Sequence, residues 1–214
     1  ENNLNYSIEG IRRTKWNPIN NNIAFIGNNG FSSDVYIYNL DQHHLTNITD
    51  DWFSDTEVSW HPNGKDLLFI SDRQDNVQPG KKIDILNFTN HDVENKDIYK
   101  LSYNGVRYTI TRLTTTNHNE SYALYSPNGN QIAFISDESG IYNIYLSNDE
   151  CQTNVAVTNV LTGITQMNWN SNEQIIFSGF YKSGFDIFIL SNIKRSMKEI
   201  IQPSLANWKT IKDV

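Results

Sequence analysis

Short apolar runs recur along the chain, each set off by polar, turn-forming residues. The clearest are Ile23-Ala24-Phe25-Ile26, Leu67-Leu68-Phe69-Ile70, Ile132-Ala133-Phe134-Ile135 and Ile175-Ile176-Phe177. An aromatic residue and a turn precede each one: Trp16-Asn17-Pro18, Trp60-His61-Pro62-Asn63-Gly64, Tyr125-Ser126-Pro127-Asn128-Gly129 and Trp169-Asn170-Ser171-Asn172. The step from that aromatic to the Phe is about nine residues in three units and about eight in the fourth. Pro-Asn-Gly predicts a tight turn, because Pro presets φ and Gly accepts positive φ. The run after it is apolar on both faces: Leu67 and Phe69 point one way, Leu68 and Ile70 the other. Such a strand needs a sheet stacked on each side. No helical period is visible before residue 193, and residues 193–202 fit either a short helix or a last strand.

Two further elements complete the unit. Asp34-Val35-Tyr36, Asp97-Ile98-Tyr99, Asn143-Ile144-Tyr145 and Asp186-Ile187-Phe188 follow the Phe by about 11 residues in three units and about 30 in the second. One loop of the second unit, within residues 74–96, has therefore grown. Leu-Thr closes three units at Leu45-Thr46, Leu113-Thr114 and Leu161-Thr162, and Lys198-Glu199-Ile200-Ile201 is a weaker candidate in the fourth. Four short strands, A to D, at a period of roughly 44 residues describe propeller blades. The expectation is an all-β chain, a β-propeller segment of four four-stranded blades at roughly 11–49, 50–116, 117–163 and 164–202, with an exit segment at 203–214. Four units with a poorly ended fourth predict a partial propeller from a longer chain. This is an open arc, whose terminal blades near Trp16 and Phe177 expose apolar faces.

The units resemble the WD40-like (PD40) repeats of TolB-type propellers. The pattern W-S-P-D-G, an apolar strand ending F-x-S-D-R, then D-I-Y and L-T is matched by Trp60 to Gly64, Phe69-Ile70-Ser71-Asp72-Arg73, Asp97-Ile98-Tyr99 and Leu113-Thr114. Asn63 and Asn128 stand where the pattern has Asp. Residues 158–163 with 178–188 are also similar to the last blades of large bacterial envelope proteins, a likeness that implies export across the inner membrane and a periplasmic or cell-envelope location.

Composition narrows the function classes. A net charge of −7 gives no basic face for nucleic acid. No apolar run is long enough to span a bilayer. Cys151 is the one cysteine, so no intramolecular disulfide exists, and nothing beside it in sequence activates it. The chain opens at Glu1 without a signal-peptide pattern and reads as a processed product or a fragment. The sequence holds no G-x-S-x-G, no H-E-x-x-H, no Walker loop and no G-x-G-x-x-G. The pair His43-His44 reads as an exposed turn. No catalytic residue, cofactor or metal ligand is therefore assigned, and no enzymatic activity is expected.

Binding is expected at the loops, which a rigid scaffold offers to partners. In a propeller the D–A and B–C connections emerge at one end of each blade. Trp52 and Phe53 lie in the D–A connection before the second blade, and Tyr181 in the B–C loop of the fourth. Loop aromatics anchor partners at little entropic cost, and they also pack under loops. Asp72, Arg73 and Asp75 open the long B–C loop. There Asp72 and Arg73 fit either ligand contact or an Asx turn with an ion pair. Asp50, Asp51, Asp55, Glu57, Asp92, Glu94 and Asp97 join Asp72 and Asp75 as an acidic group. It fits a solvated rim or an oxygen-ligand site for an ion such as Ca²⁺. The partner expected is a protein or peptide, together with the rest of a longer parent chain. A second reading makes the segment the substrate-gating propeller of a prolyl-oligopeptidase-like serine peptidase with its catalytic domain elsewhere, and a third makes it a spacer.

Overall fold

Side-chain amides organise the turns that start each blade. Asn17 Oδ1 accepts from the backbone N–H of Ile19 and Asn20, and Asn63 Oδ1 from Lys65 and Asp66. The glycine that ends the second turn, Gly64, has φ +68° and its carbonyl accepts from Asn17 Nδ2. A Cβ there would meet the Asn17 and Ile19 side chains below 3 Å, so position and conformation both require glycine.

The computed structural model describes residues 8–81, 89, 91–170, 174–193 and 201–206. Within them the protein is all-β and forms antiparallel blades of the β-propeller type, in two compact units, Glu1–Asn117 and His118–Val214. The first unit holds two blades: β1 (Gly10–Trp16), β2 (Asn22–Asn28), β3 (Ser33–Asn39) and β4 (His44–Asn47), then β5 (Asp55–Trp60), β6 (Asp66–Ser71), β7 (Asp97–Tyr103) and β8 (Tyr108–Arg112). The second holds β9 (Glu120–Tyr125), β10 (Gln131–Ser136), β11 (Asn143–Asn148) and β12 (Val155–Ala156), then β13 (Ile164–Trp169), β14 (Ile175–Tyr181) and β15 (Gly184–Leu190). In every sheet consecutive strands are neighbours. The candidate fourth strand of the last blade, Lys198 to Ile201, lies outside the described residues except for Ile201, which is in no strand.

Each blade has two faces, and each carries its own residue class. One face bears a stacked aromatic pair across strands B and C: Phe25–Tyr36, Phe69–Tyr99, Phe134–Tyr145 and Phe177–Phe188, with ring centroids 5.4–5.7 Å apart. The other bears aliphatic residues. Within the first unit the aliphatic face of blade one (Ala24, Ile26, Val35, Ile37) packs on the aromatic face of blade two (Phe69, Tyr99, Leu101). The second unit repeats the arrangement: Ala133, Ile135, Ile144 and Leu146 of blade three meet Ile175, Phe177 and Phe188 of blade four. Burial of a large side chain in such an interface contributes about 1.5–3 kcal/mol.

The Leu-Thr element needs a correction in two blades. The threonine that matters accepts from the N–H of the residue after the Asp or Asn near the start of strand C and donates to that Asp or Asn. These are Thr49 with Asp34, Thr114 with Asp97 and Thr158 with Asn143. The repeat therefore runs through Ile48-Thr49, Leu113-Thr114 and Val157-Thr158. Leu45-Thr46 lies within β4, three residues before the matching element, and Leu161-Thr162 belongs to the connection into β13. A bulge in strand A also escapes the sequence. Arg13, Glu57 and Tyr122, each three residues before the blade's aromatic, adopt positive φ beside the register shifts of β1, β5 and β9.

Of the apolar faces expected to be exposed at the terminal blades, the one on blade four is exposed and the one on blade one is not. Phe25, Tyr36 and Leu45 of blade one are buried, with Ile8, Ile23 and Tyr38 packed against them.

Candidate functional site

The loop-bearing end of the first unit is built around Arg73. Its Nη1 donates to Asp51 at 2.9 Å, its Nη2 to Asp55 at 2.6 Å and its Nε to Ser71 Oγ at 3.0 Å. The guanidinium lies 5.0–5.8 Å from the ring centroids of Phe53, Phe69 and Tyr99. Arg73, Phe53, Asp51 and Asp55 are all buried. The adjacent Asp72 is buried too and accepts from Ser54 N–H, as Asp137 accepts from Asn119 N–H in blade three. So Arg73, Phe53 and Asp72 are interior residues of this end: they fasten the connection between blades one and two to the start of the long loop. Of the two readings open for them from sequence, ligand contact or internal packing and ion pairing, their burial fits the second.

The long B–C loop folds back on the same connection. Gly80 N–H donates to Thr49 O, Val77 packs on the core between the blades, and the His91 ring packs tilted against Phe53 with centroids 4.9 Å apart. Asp75 is exposed and pairs with Arg112, whose Nη2 and Nε also hold Asp97. Trp52 is half-buried. The acidic residues gather on guanidinium groups rather than on one point: Asp51 and Asp55 on Arg73, Asp75 and Asp97 on Arg112. Among the described residues no three His, Cys, Asp or Glu are placed to share a metal ion.

Buried carboxylates around one cation titrate abnormally. Burial pushes Asp51 up from the ordinary 3.8 to about 7; Arg73 opposes the shift, and Asp55 and Asp34 reinforce it. Burial raises Asp34, Asp72 and Asp97 as well. Burial thus favours the protonated form of Asp51 in the folded state more than in the unfolded chain. Stability conferred this way is complete below about pH 4 and falls as pH rises through 7. The urea midpoint of the first unit should be lower at pH 8 than at pH 5.5, and Asp51→Asn should flatten the difference. A midpoint that climbs from pH 5.5 to 8 in both proteins would contradict this.

In the second unit, Tyr181 ends β14 rather than sitting in a loop, since the B–C connection of blade four is the two-residue turn Lys182-Ser183. Both residues have positive φ, 45° and 72°, as a type I′ hairpin requires. The short turn lets the strands run on and stand Phe180, Tyr181 and Phe185 at the blade's end. Beside them the connection from blade three carries Val160 to Gly163, and Thr162 Oγ1 donates to Phe180 O. Between these segments lies a cavity of about 370 Å³ lined chiefly by Val160, Leu161, Phe177, Phe180, Tyr181 and Phe188. Its wall is mostly apolar, with Thr162 and Lys182 as polar members, and Lys182 Nζ lies 5.1 Å from the Tyr181 ring centroid. Leu161, Phe180 and Tyr181 are exposed at its mouth. Of this pocket the sequence singles out only Tyr181. The neighbouring Phe180 and Leu161 gave a signal as apolar residues at a blade end, but Leu161 was taken up by the misplaced Leu-Thr.

Repeating blades with aromatic–aliphatic stacking define a β-propeller segment. Solved structures agree. The chain is similar to a TolB protein of Agrobacterium tumefaciens, at 17% identity and a TM-score of 0.63 over 85% of this chain and 61% of that one. It is similar to TolB of Acinetobacter baumannii at 16% identity and a TM-score of 0.58, over 90% of this chain and 42% of that one. A puromycin-hydrolysing peptidase of Mycobacterium tuberculosis matches at 11% identity and a TM-score of 0.61, over 91% of this chain and 30% of that one. The chain thus spans less than two thirds of the length of each of these proteins, and the likeness shows the fold. No protein-family model and no curated protein matches the sequence.

Proposed function

We propose that this chain is a binding module of the bacterial cell envelope, without catalytic chemistry of its own, which receives a protein or peptide at the loop-bearing end of its blades. The observation that carries this reading is the pocket at the end of blade four: an apolar cavity with aromatic residues at its mouth and one cation on its rim. Clefts of a few hundred Å³ with few polar groups suit a bulky apolar side chain, and exposed aromatics supply anchors. The likeness to TolB proteins supports the envelope assignment. Asp75 and the half-buried Trp52 are the expected contact residues of the first unit that a partner can reach, and Phe53, Asp72 and Arg73 hold the loops that present them.

Panning a displayed peptide library against the chain tests this. Enriched peptides should share a bulky apolar residue, and Tyr181→Ala should weaken them roughly tenfold or more with an unchanged melting temperature. Enrichment of no peptide, or peptides indifferent to both Tyr181→Ala and Leu161→Asp, would sink the reading. The likeness to the puromycin-hydrolysing peptidase favours a second reading, a substrate-gating propeller joined to a hydrolase domain. The two part on whether a G-x-S-x-G segment lies elsewhere in the full polypeptide.

A further inference from the structure

The outer face of blade four is apolar and uncovered. Ile176, Phe180, Phe185, Ile187 and Ile189 lie on it as cross-strand neighbours, Ile176 opposite Ile189 and Phe180 opposite Phe185, with Ser178 opposite Ile187. Ile187 and Ile189 are 78% and 60% exposed. The residues at the same repeat positions are Val35 and Ile37 in blade one and Ile144 and Leu146 in blade three, none more than 5% exposed. In those two blades the cover is known: it is the aromatic face of the blade next in sequence. Blade four therefore carries the aliphatic half of an interface that this chain completes twice elsewhere.

What covers it can be narrowed further. The complementary surface is a stacked aromatic pair, and none of the four in the chain stands open: Phe25–Tyr36, Phe69–Tyr99 and Phe134–Tyr145 are buried, and the buried Phe177 and half-buried Phe188 pack into the core shared with blade three. A second copy has no open aromatic face to offer. We propose that the outer face of blade four is the docking surface for a further blade of the same repeat, next in sequence in the full polypeptide, which presents a stacked aromatic pair to Ile187 and Ile189. A contiguous apolar face of this kind marks an unfilled interface in repeat proteins.

Photocrosslinking in the full-length protein, expressed in its own host with p-benzoylphenylalanine at Ile187, tests the assignment. The crosslinked peptide should come from the same polypeptide, outside residues 1–214, and carry Phe or Tyr within an apolar strand. A crosslink to another polypeptide, to a second copy of these residues or to lipid would overturn it, as would no crosslink at all. Thermal melting gives an independent readout. Ile187→Lys with Ile189→Lys should leave the melting temperature of the 214-residue chain unchanged, because the face is wet there, and lower that of the full-length protein by several degrees. Equal shifts in both would show that the two residues serve blade four alone.

Discussion

Replacing Arg73 with Ala should be among the most damaging single changes in the chain, lowering the unfolding free energy by about 3–5 kcal/mol. The guanidinium is fully buried and holds two buried carboxylates, Asp51 and Asp55. Removing it leaves both buried carboxyl groups without the donor that holds them and opens a cavity beside Phe53, Phe69 and Tyr99. Arg73→Lys should recover little, since one ammonium cannot reproduce the fork that reaches Asp51, Asp55 and Ser71 together. Arg73→Met combined with Asp51→Asn and Asp55→Asn should recover much of the loss, because the uncompensated charge goes with its partner. Equilibrium urea unfolding of the four proteins at one pH reads these differences directly. A loss below about 1 kcal/mol for Arg73→Ala would mean that the network is a surface decoration, against its burial.

Phe69→Ala should cost a similar amount, about 3–5 kcal/mol, for a different reason. Phe69 sits between blades one and two, stacked on Tyr99 and packed against the aliphatic face of blade one. Strands on both sides limit how far the site can collapse. Phe185→Ala, on the uncovered face of blade four, should change stability by no more than about 0.5 kcal/mol. The contrast between two Phe→Ala changes in one protein separates burial from residue type. Equal effects at the two positions would contradict the assignment of faces.

Much of this architecture was legible in the sequence because its signals are local. Turn residues after Trp60 and Tyr125, and two-sided apolar runs such as Leu67 to Ile70, mark strands A and B without knowledge of their neighbours. The Asp-Ile-Tyr element marks strand C equally well. A Leu-Thr dipeptide misplaces the closing element in blades one and three. What the fold selects is a threonine able to reach back to the Asp or Asn opening strand C, and Ile48-Thr49 and Val157-Thr158 do so with other apolar partners. The 15-, 17- and 15-residue separations of Asp34–Thr49, Asp97–Thr114 and Asn143–Thr158 were a usable signal.

The candidate site was less legible because burial of loop residues depends on long-range closure. Phe53 and Arg73 look like surface contacts while the D–A and B–C connections are considered singly. Once the connections fold together, an Arg after strand B has two carboxylates from the preceding connection around it and becomes core. The pocket of blade four was hidden for the opposite reason. It forms between Val160–Gly163 and the end of a hairpin tightened to two residues, and Lys182-Ser183 carries no Asn-Gly signal for such a turn.

Hydrogen–deuterium exchange with the tightest-binding peptide in place tests the binding site most directly. Slowed exchange is predicted at residues 160–163 and 180–184, the two segments that frame the cavity, with strands 131–136 and 143–148 unchanged. Protection confined to those strands, or to the first unit, would contradict a binding site at the end of blade four.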